Sequence, residues 1–494
     1  MHVATALKEG ISPGSLAVPQ PHRAGMVRLL TCGSVDDGKS TLIGRLLWDA
    51  AGVTEDQRAA IALASHNRAF NGERIDFSLL LDGLQAEREQ GITIDIAWRY
   101  FETGDRRFVI IDSPGHEQYT RNMATGASHA DVAILLVDAR HGPKRQTRRH
   151  AAICDLVGIK KVILAVNKMD LVDFAEARYH DIESEFRAMA GSFGFTEIAT
   201  IPVAALSGDN VVYRSFHMPW YAGPTLLDYL ETVDPKTEPT DAAFRMPVQF
   251  VLRASGDFRG YAGTVTSGRV RVGARIVDAR TGLGATLKRI STMDGDLPSA
   301  GKGEAVTLVL DTDLDISRGA VLSELARRPV NADVIEARLV WLSETPFDPE
   351  SGYLLRTATD LAPVTSMSIS ALVNFETLAS APAHACGVND IADCRILLGR
   401  STALDLFREL PLTGNFILVS AIDGATVAGG VITWAQSGAP EVGDNVLVLN
   451  RELLARGLCS DLGNSPADIA EFNRRAHEVA TLLRSIGVPV LIEI

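Results

Sequence analysis

Eight residues near the start of the chain, Gly33-Ser34-Val35-Asp36-Asp37-Gly38-Lys39-Ser40, fit the spacing G-x-x-x-x-G-K-[ST]. The two glycines let backbone N–H groups turn inward around a phosphate, with the positive N-terminus of a following helix behind them. Lys39 offers a cation to β- and γ-phosphate oxygens and Ser40 a hydroxyl to Mg²⁺, with Thr41 completing the nucleotide-binding run. A glycine-rich turn without a ligand would have the same composition. The position between an apolar strand and a helix argues for the phosphate cradle.

Two further clusters follow in order. Asp112-Ser113-Pro114-Gly115-His116 ends an apolar run, RFVIID. A carboxylate at the C-terminal end of a parallel strand points into the crevice where ligands bind, so Asp112 is placed to hold Mg²⁺. Gly115 can bring a backbone N–H to a γ-phosphate, and His116 beside it can orient the attacking water. Asn167-Lys168-Met169-Asp170 ends the run VILAV. A carboxylate at Asp170 can accept both N1–H and N2–H of guanine, a donor pair that adenine lacks, which favours GTP over ATP. Thr93 reads on local pattern as a strand residue, because TIDIAWRYF alternates.

The elements that must carry these clusters are legible as alternating apolar runs and helical stretches. Strands are expected over Met26–Cys32, Arg106–Ser113, Ala130–Ala139, Lys160–Lys168 and Ala199–Leu206. Helices are expected after the phosphate loop and around 119–129, 144–157 and 174–190. Continuous apolar strands separated by helices predict a parallel sheet covered on both faces. The Pro- and charge-rich stretch Glu231–Phe244 reads as a linker. Beyond it, short alternating runs with turn residues between them predict antiparallel β-structure, about two small barrels' worth, dividing near Arg328–Asn331. From about Asp461 an amphipathic helix, capped at Ser465, and a last strand are expected. The expected organisation is an extension over 1–25, an α/β P-loop domain over 26–240, antiparallel β-barrels over 241–330 and 331–434, and a short α/β tail over 435–494.

Composition narrows the partners. The chain has 494 residues and a formal net charge of −13, which disfavours nucleic acid, since its phosphates would be repelled. Five cysteines, Cys32, Cys154, Cys386, Cys394 and Cys459, have no metal-ligand spacing and read as reduced thiols of a cytoplasmic protein. No apolar run reaches the length of a transmembrane helix, and residues 1–25 lack the pattern of a secretory signal.

The ordered set GSVDDGKS, QGITID, DSPGH, NKMD and AAL resembles the G domain of translation-factor GTPases such as elongation factor Tu. Within that superfamily the chain is most similar to the GTPase subunit of bacterial sulfate adenylyltransferase, on the runs GSVDDGKSTLIGRLL, LLDGLQAEREQGITIDIAWRYF, FVIIDSPGHEQYTRNMATGASHADVAILLVDAR, QTRRH and DFRGYAGTVTSG. The resemblance covers about Val27 to Ile432. It implies that Lys39, Ser40, Thr93 and Asp112 form the phosphate and Mg²⁺ site. It also implies that Asn167, Lys168 and Asp170 read guanine and that Val35 gates His116. The fifth motif departs from Ser-Ala-Leu, reading Ala204-Ala205-Leu206, so a hydroxyl brace is lost and weaker nucleotide affinity is expected. The resemblance further implies a partner: a small subunit that transfers the adenylyl group from ATP to sulfate, driven by GTP hydrolysis here. A factor that delivers aminoacyl-tRNA is the rival within the superfamily.

The stretch from Val446 to Ile492 resembles the middle of adenylylsulfate kinase. Val431–Asp444 contains no G-x-x-x-x-G-K-[ST], Asn450-Arg451-Glu452-Leu453 stands where that family has Asp-Gly-Asp-Asn, and Asn464 replaces a phenylalanine. The expectation is a relic without kinase chemistry, whose helical stripe Ile469, Phe472, Ala476, Val479 and Leu483 is buried against something. A working kinase tail is the alternative.

Overall fold

The structure, a computed structural model, describes residues 25–50, 75, 77–80, 93, 95–104, 106–234, 241–253, 259–436, 447–450, 466–485 and 490–493. Residues 1–24 of the N-terminal extension, residues 235–240 of the linker and the Ser465 cap lie outside them.

The first domain is a six-stranded sheet in the order β2-β3-β1-β4-β5-β6: Ala97–Glu102, Arg107–Asp112, Val27–Gly33, Val132–Asp138, Lys161–Asn167 and Glu197–Pro202 for β2, β3, β1, β4, β5 and β6. Five strands run parallel, as their unbroken apolar runs require. The edge strand β2 is antiparallel to β3, with Ala97 opposite Asp112. Alternate side chains feed two cores. Leu30, Leu135, Val137 and Leu164 meet Ile153, Ile182 and Phe186 of the helices Arg145–Leu156 and Glu176–Ala190 on one face. Leu29, Ile134, Leu136 and Ile163 meet Leu42, Leu46 and Leu230 of the helices Lys39–Ala50 and Leu226–Thr232 on the other.

Two features differ from the sequence expectation. The fifth parallel strand lies over Glu197–Pro202, not Ala199–Leu206, because Ala204 turns back to bridge Asp209. Thr93 is in no strand, since β2 begins only at Ala97.

Both barrels are closed antiparallel sheets. In the first, the two ends of the sheet belong to one continuous segment, Arg245–Arg253. Its first part pairs with Val321–Glu324 and its last with Arg259–Thr264. Between them the Val248 N–H donates to Ala320 and the Gln249 N–H to Ala262, at 2.8 and 2.9 Å. In the second, Tyr353–Arg356 pairs with both Asn415–Ser420 and Leu361–Val373, closing a ring of six strands. Closure removes the exposed edges that short strands would otherwise present.

The second barrel packs on the first domain, placing Val340, Phe375, Ile391 and Val431 in the same core as Ile153 and Phe186. Arg245 of the first barrel makes a buried, two-pronged ion pair with Asp405 of the second at 2.9 and 2.8 Å. In the tail, Leu447–Asn450 pairs in parallel with Val490–Glu493, and the helix Pro466–Ser485 packs on the latter. Phe472 is buried as the stripe predicts, but Ile469 is 41% exposed. Among the described residues no helix is long and apolar enough to cross a membrane.

Candidate functional site

The phosphate loop leaves β1 at Gly33 and enters the helix at Lys39. Asp36 and Gly38 take left-handed backbone, with φ of 67° and 92°. Gly38 has a second constraint: a Cβ there would lie 2.5 Å from the Asn167 amide nitrogen. The Asp37 carboxylate turns inward, accepting the Ser34 N–H at 2.7 Å and pairing with Lys144 at 3.3 Å. Burial pushes its pKa up, opposed by Lys144, the Ser34 N–H and Lys39.

Lys39 is buried at the centre. Its Nζ donates to the carbonyls of Gly33 and Ser34 at 2.9 and 3.1 Å. Burial pulls its pKa down, opposed by the carboxylates of Asp112 and Asp37. A phosphate in this loop would favour the charged ammonium further. Gly115 packs directly on it: a Cβ there would collide with the Lys39 ammonium and stand 2.7 Å from the Gly33 carbonyl. That close approach brings the Asp112–His116 segment onto the phosphate loop.

Asp112, buried at the end of β3, accepts from the Thr31 hydroxyl at 3.1 Å, and the Ser113 hydroxyl donates to the Thr31 carbonyl at 2.7 Å. Pro114 is buried beside them. His116 is half-buried, and its Nδ1 has no hydrogen-bond partner among the described residues. Ser40 and Thr41 are half-buried in the first turn of the helix, and Val35 is exposed at the rim.

Asn167 joins three loops. Its Nδ2 donates to the Asp37 carbonyl at 2.9 Å and its Oδ1 accepts the Ala205 N–H at 3.0 Å. Lys168, left-handed at φ 63°, lays its stem across the loop so that Nζ reaches the Asp36 carbonyl. Met169 is buried, and Asp170 lies half-buried in the 3₁₀ turn Met169–Val172. Leu206 is exposed, its carbonyl held by Arg45 at 3.2 Å.

The structure thus brings the phosphate loop, Asp112–His116, Asn167–Asp170 and Ala205–Leu206 to one crevice at the C-terminal ends of the parallel strands. Thr93 is half-buried, and among the described residues no hydrogen bond ties it to this crevice.

Two residues escaped the sequence reading. Asp138, at the end of β4, accepts from Arg140 at 3.0 and 2.6 Å and from Lys168 at 3.1 Å. Although burial opposes it, these partners hold its carboxyl far below the usual range. Asp138 therefore anchors the Lys168 ammonium. The strand-end argument that selected Asp112 applies equally to Asp138 and would have found it. Lys144, which pins Asp37, carries no such local signal.

The chain matches the elongation factor Tu GTP-binding domain family over residues 24–236 and the eEF1A-like C-terminal domain family over 334–433. It is 47% identical over 410 residues to sulfate adenylyltransferase subunit 1 of Colwellia psychrerythraea, covering 83% of this chain and 88% of that protein. The chain belongs to the sulfate adenylyltransferase subunit 1 family. The same protein of Teredinibacter turnerae is 45% identical, covering 85% of this chain and 90% of the relative. The bifunctional enzyme NodQ of Rhizobium meliloti is 43% identical over 516 residues, covering 94% of this chain and 80% of NodQ.

Proposed function

We propose that the chain hydrolyses GTP to GDP and phosphate and couples this to adenylyl transfer on a separate small catalytic subunit, where ATP and sulfate give adenylyl sulfate and pyrophosphate. The observation that carries the reading is the Asn167-linked crevice in a chain of this family. Backbone N–H groups of the phosphate loop and Lys39 bind the β- and γ-phosphates. Asp170 accepts from guanine, while Lys168, anchored by Asp138 and Asp36, lies along the base. The Ala205 N–H is engaged by Asn167, so the peptide at Leu206 meets the guanine carbonyl.

His116, whose Nδ1 has no partner among the described residues, orients the attacking water towards the γ-phosphorus, and Val35 shields that approach. The buried Asp112 carboxylate and the Ser40 hydroxyl are hard oxygen donors that fit Mg²⁺, and the Thr93 hydroxyl would be a third. Mg²⁺, when bound, would neutralise charge on the phosphate oxygens. The complex, a heterodimer or a larger assembly, works in the cytoplasm and does not require nucleic acid.

The test is a pull-down of the tagged chain from its host, followed by sulfate adenylylation with and without GTP. The reading predicts product formation that rises with GTP and requires the captured subunit. Equal adenylylation without GTP, or robust product from the purified chain alone, would overturn it. Within that assay His116→Ala should slow GTP hydrolysis roughly 10²–10⁴-fold while GTP still binds.

A further inference from the structure

The residue after His116 is gripped from two sides. Arg149, on the helix Arg145–Leu156, meets the Glu117 carboxylate at 2.6 Å. Asn389, in a loop of the second barrel, donates from Nδ2 to the Glu117 carbonyl at 3.1 Å. That same carbonyl accepts the Thr120 hydroxyl at 2.6 Å, at the start of the next helix. His116 caps this turn, so the turn's position sets where the imidazole points.

Neither gripping residue is free to relax. Arg149 is 3% exposed and Asn389 6%. The Arg149 guanidinium also donates to Gln146 at 3.1 Å and lies 4.8 Å over the ring of Phe375, which belongs to the second barrel. The Phe375 loop is itself tied down. Asn374 accepts the Glu376 N–H at 2.7 Å, and Arg148 donates to the Glu376 carbonyl at 2.6 Å. Asn389 holds a left-handed backbone at φ 68°, with its N–H on the Trp341 carbonyl at 2.8 Å. The barrel therefore reaches Glu117 by two rigid routes, one direct and one through Arg149.

The Glu117 carboxylate is more than half exposed, so its ion pair contributes little to stability in water. What the arrangement supplies is orientation. Displacing a reacting group by about 1 Å can cost on the order of 10²-fold in rate.

We propose that Arg149 and Asn389 are positioning residues for GTP hydrolysis. By clamping Glu117 between the GTPase domain and the second barrel, they hold His116 in its working orientation and make hydrolysis depend on the seating of that barrel. This rests on the reading of His116 as the water-orienting residue.

The test uses the full chain, single-turnover GTP hydrolysis and GTP titration. Asn389→Ala removes the direct route. Glu117→Gln keeps the backbone acceptor and removes the charge that Arg149 meets, at a surface position where folding is not at stake. Each should slow hydrolysis roughly tenfold with the GTP Kd within about twofold. In a His116→Ala background neither should slow it further. Wild-type hydrolysis in a single variant removes that route, and equal slowing in both backgrounds makes the residue merely structural. Either result leaves His116 in place if His116→Ala is itself slow. If His116→Ala hydrolyses GTP at the wild-type rate, the His116 reading fails and the clamp fails with it.

Discussion

Asn167 donates its amide to the carbonyl of Asp37, 130 positions earlier, at 2.9 Å. With its other end on the Ala205 N–H, this buried side chain sets the spacing between the phosphate end and the base end of the site. Asn167→Ala leaves a buried carbonyl and a buried N–H without their partner, each costing about 1–3 kcal/mol. GTP and GDP affinity should both fall, roughly 10- to 100-fold and by similar factors. A fluorescent-nucleotide titration measures this. Affinities within twofold of wild type would show that the loops hold their spacing without Asn167.

Asp170 should decide the base. Asp170→Asn replaces an acceptor pair with one donor and one acceptor, which suits the C2 carbonyl of xanthine. GTP should bind more weakly by roughly two orders of magnitude while xanthosine triphosphate binds better than it does to wild type. Competition titration of the two nucleotides measures the switch. Unchanged preference would remove Asp170 from the base site.

What was legible in the sequence was what is contiguous in it. The phosphate loop, Asp112–His116 and Asn167–Asp170 each keep their chemistry within a few residues of a strand end, so pattern alone located them. Lys144, Arg149 and Asn389 act on residues far away in the chain; the run QTRRH that holds Arg149 marks the family but not its contact with Glu117, and Lys144 and Asn389 carry no local signal. The joining of barrel ends through Arg245–Arg253 depends on register between distant strands and was equally hidden. Thr93 misled in the other direction: TIDIAWRYF alternates as a strand does, yet pairing with β3 starts only at Ala97, opposite Asp112. Alternation reports what a segment could pair as, not where its partner begins.

His150 should make the fold acid-sensitive. It is fully buried on the helix Arg145–Leu156, and burial, then Lys39 and Arg149, holds its pKa down to about 3. An unfolded histidine titrates near 6.5. Between those values the unfolded chain binds a proton that the folded chain refuses, so stability is full above about 6.5 and declines as pH falls towards 3. The slope is at most about 1.4 kcal/mol per pH unit. His150→Gln should flatten it: between pH 7.5 and 5.5 the variant's denaturation midpoint should fall less than that of the wild type. Equal falls would assign the acid sensitivity to other groups.

The Arg245–Asp405 pair should be a strong single point of failure between the barrels. Asp405 also accepts the Thr413 hydroxyl at 2.6 Å, so its charge is fully engaged. Asp405→Ala leaves a buried guanidinium without its partner, a loss of about 3–5 kcal/mol. Replacing both, as Arg245→Met with Asp405→Leu, removes the uncompensated charge and should recover much of that. Denaturant unfolding of the two variants separates these cases. A single variant as stable as wild type would mean that water reaches Arg245 there.

The tail should be dispensable for GTP hydrolysis and should not phosphorylate adenylyl sulfate. A kinase must hold the β- and γ-phosphates of ATP while a second substrate's hydroxyl attacks, and the binding comes from a backbone cradle, a lysine and Mg²⁺. Between Val431 and Asp444 the chain has no G-x-x-x-x-G-K-[ST] to supply that cradle. The described tail strands pair with each other, Leu447–Asn450 alongside Val490–Glu493, and the helix Pro466–Ser485 packs on the second of them. A cut at Gly457 would therefore strand Leu447–Asn450 without its neighbour, leaving apolar backbone edges to aggregate. A cut after Gln436, where the last barrel strand ends, removes the unit whole. The truncated chain should bind and hydrolyse GTP as the full chain does, and the full chain should transfer no phosphate from ATP to adenylyl sulfate. Phosphorylated product from the full chain would give the tail a kinase site of its own. Loss of GTP hydrolysis in a truncated chain that still shows a cooperative unfolding transition would make the tail part of the GTPase.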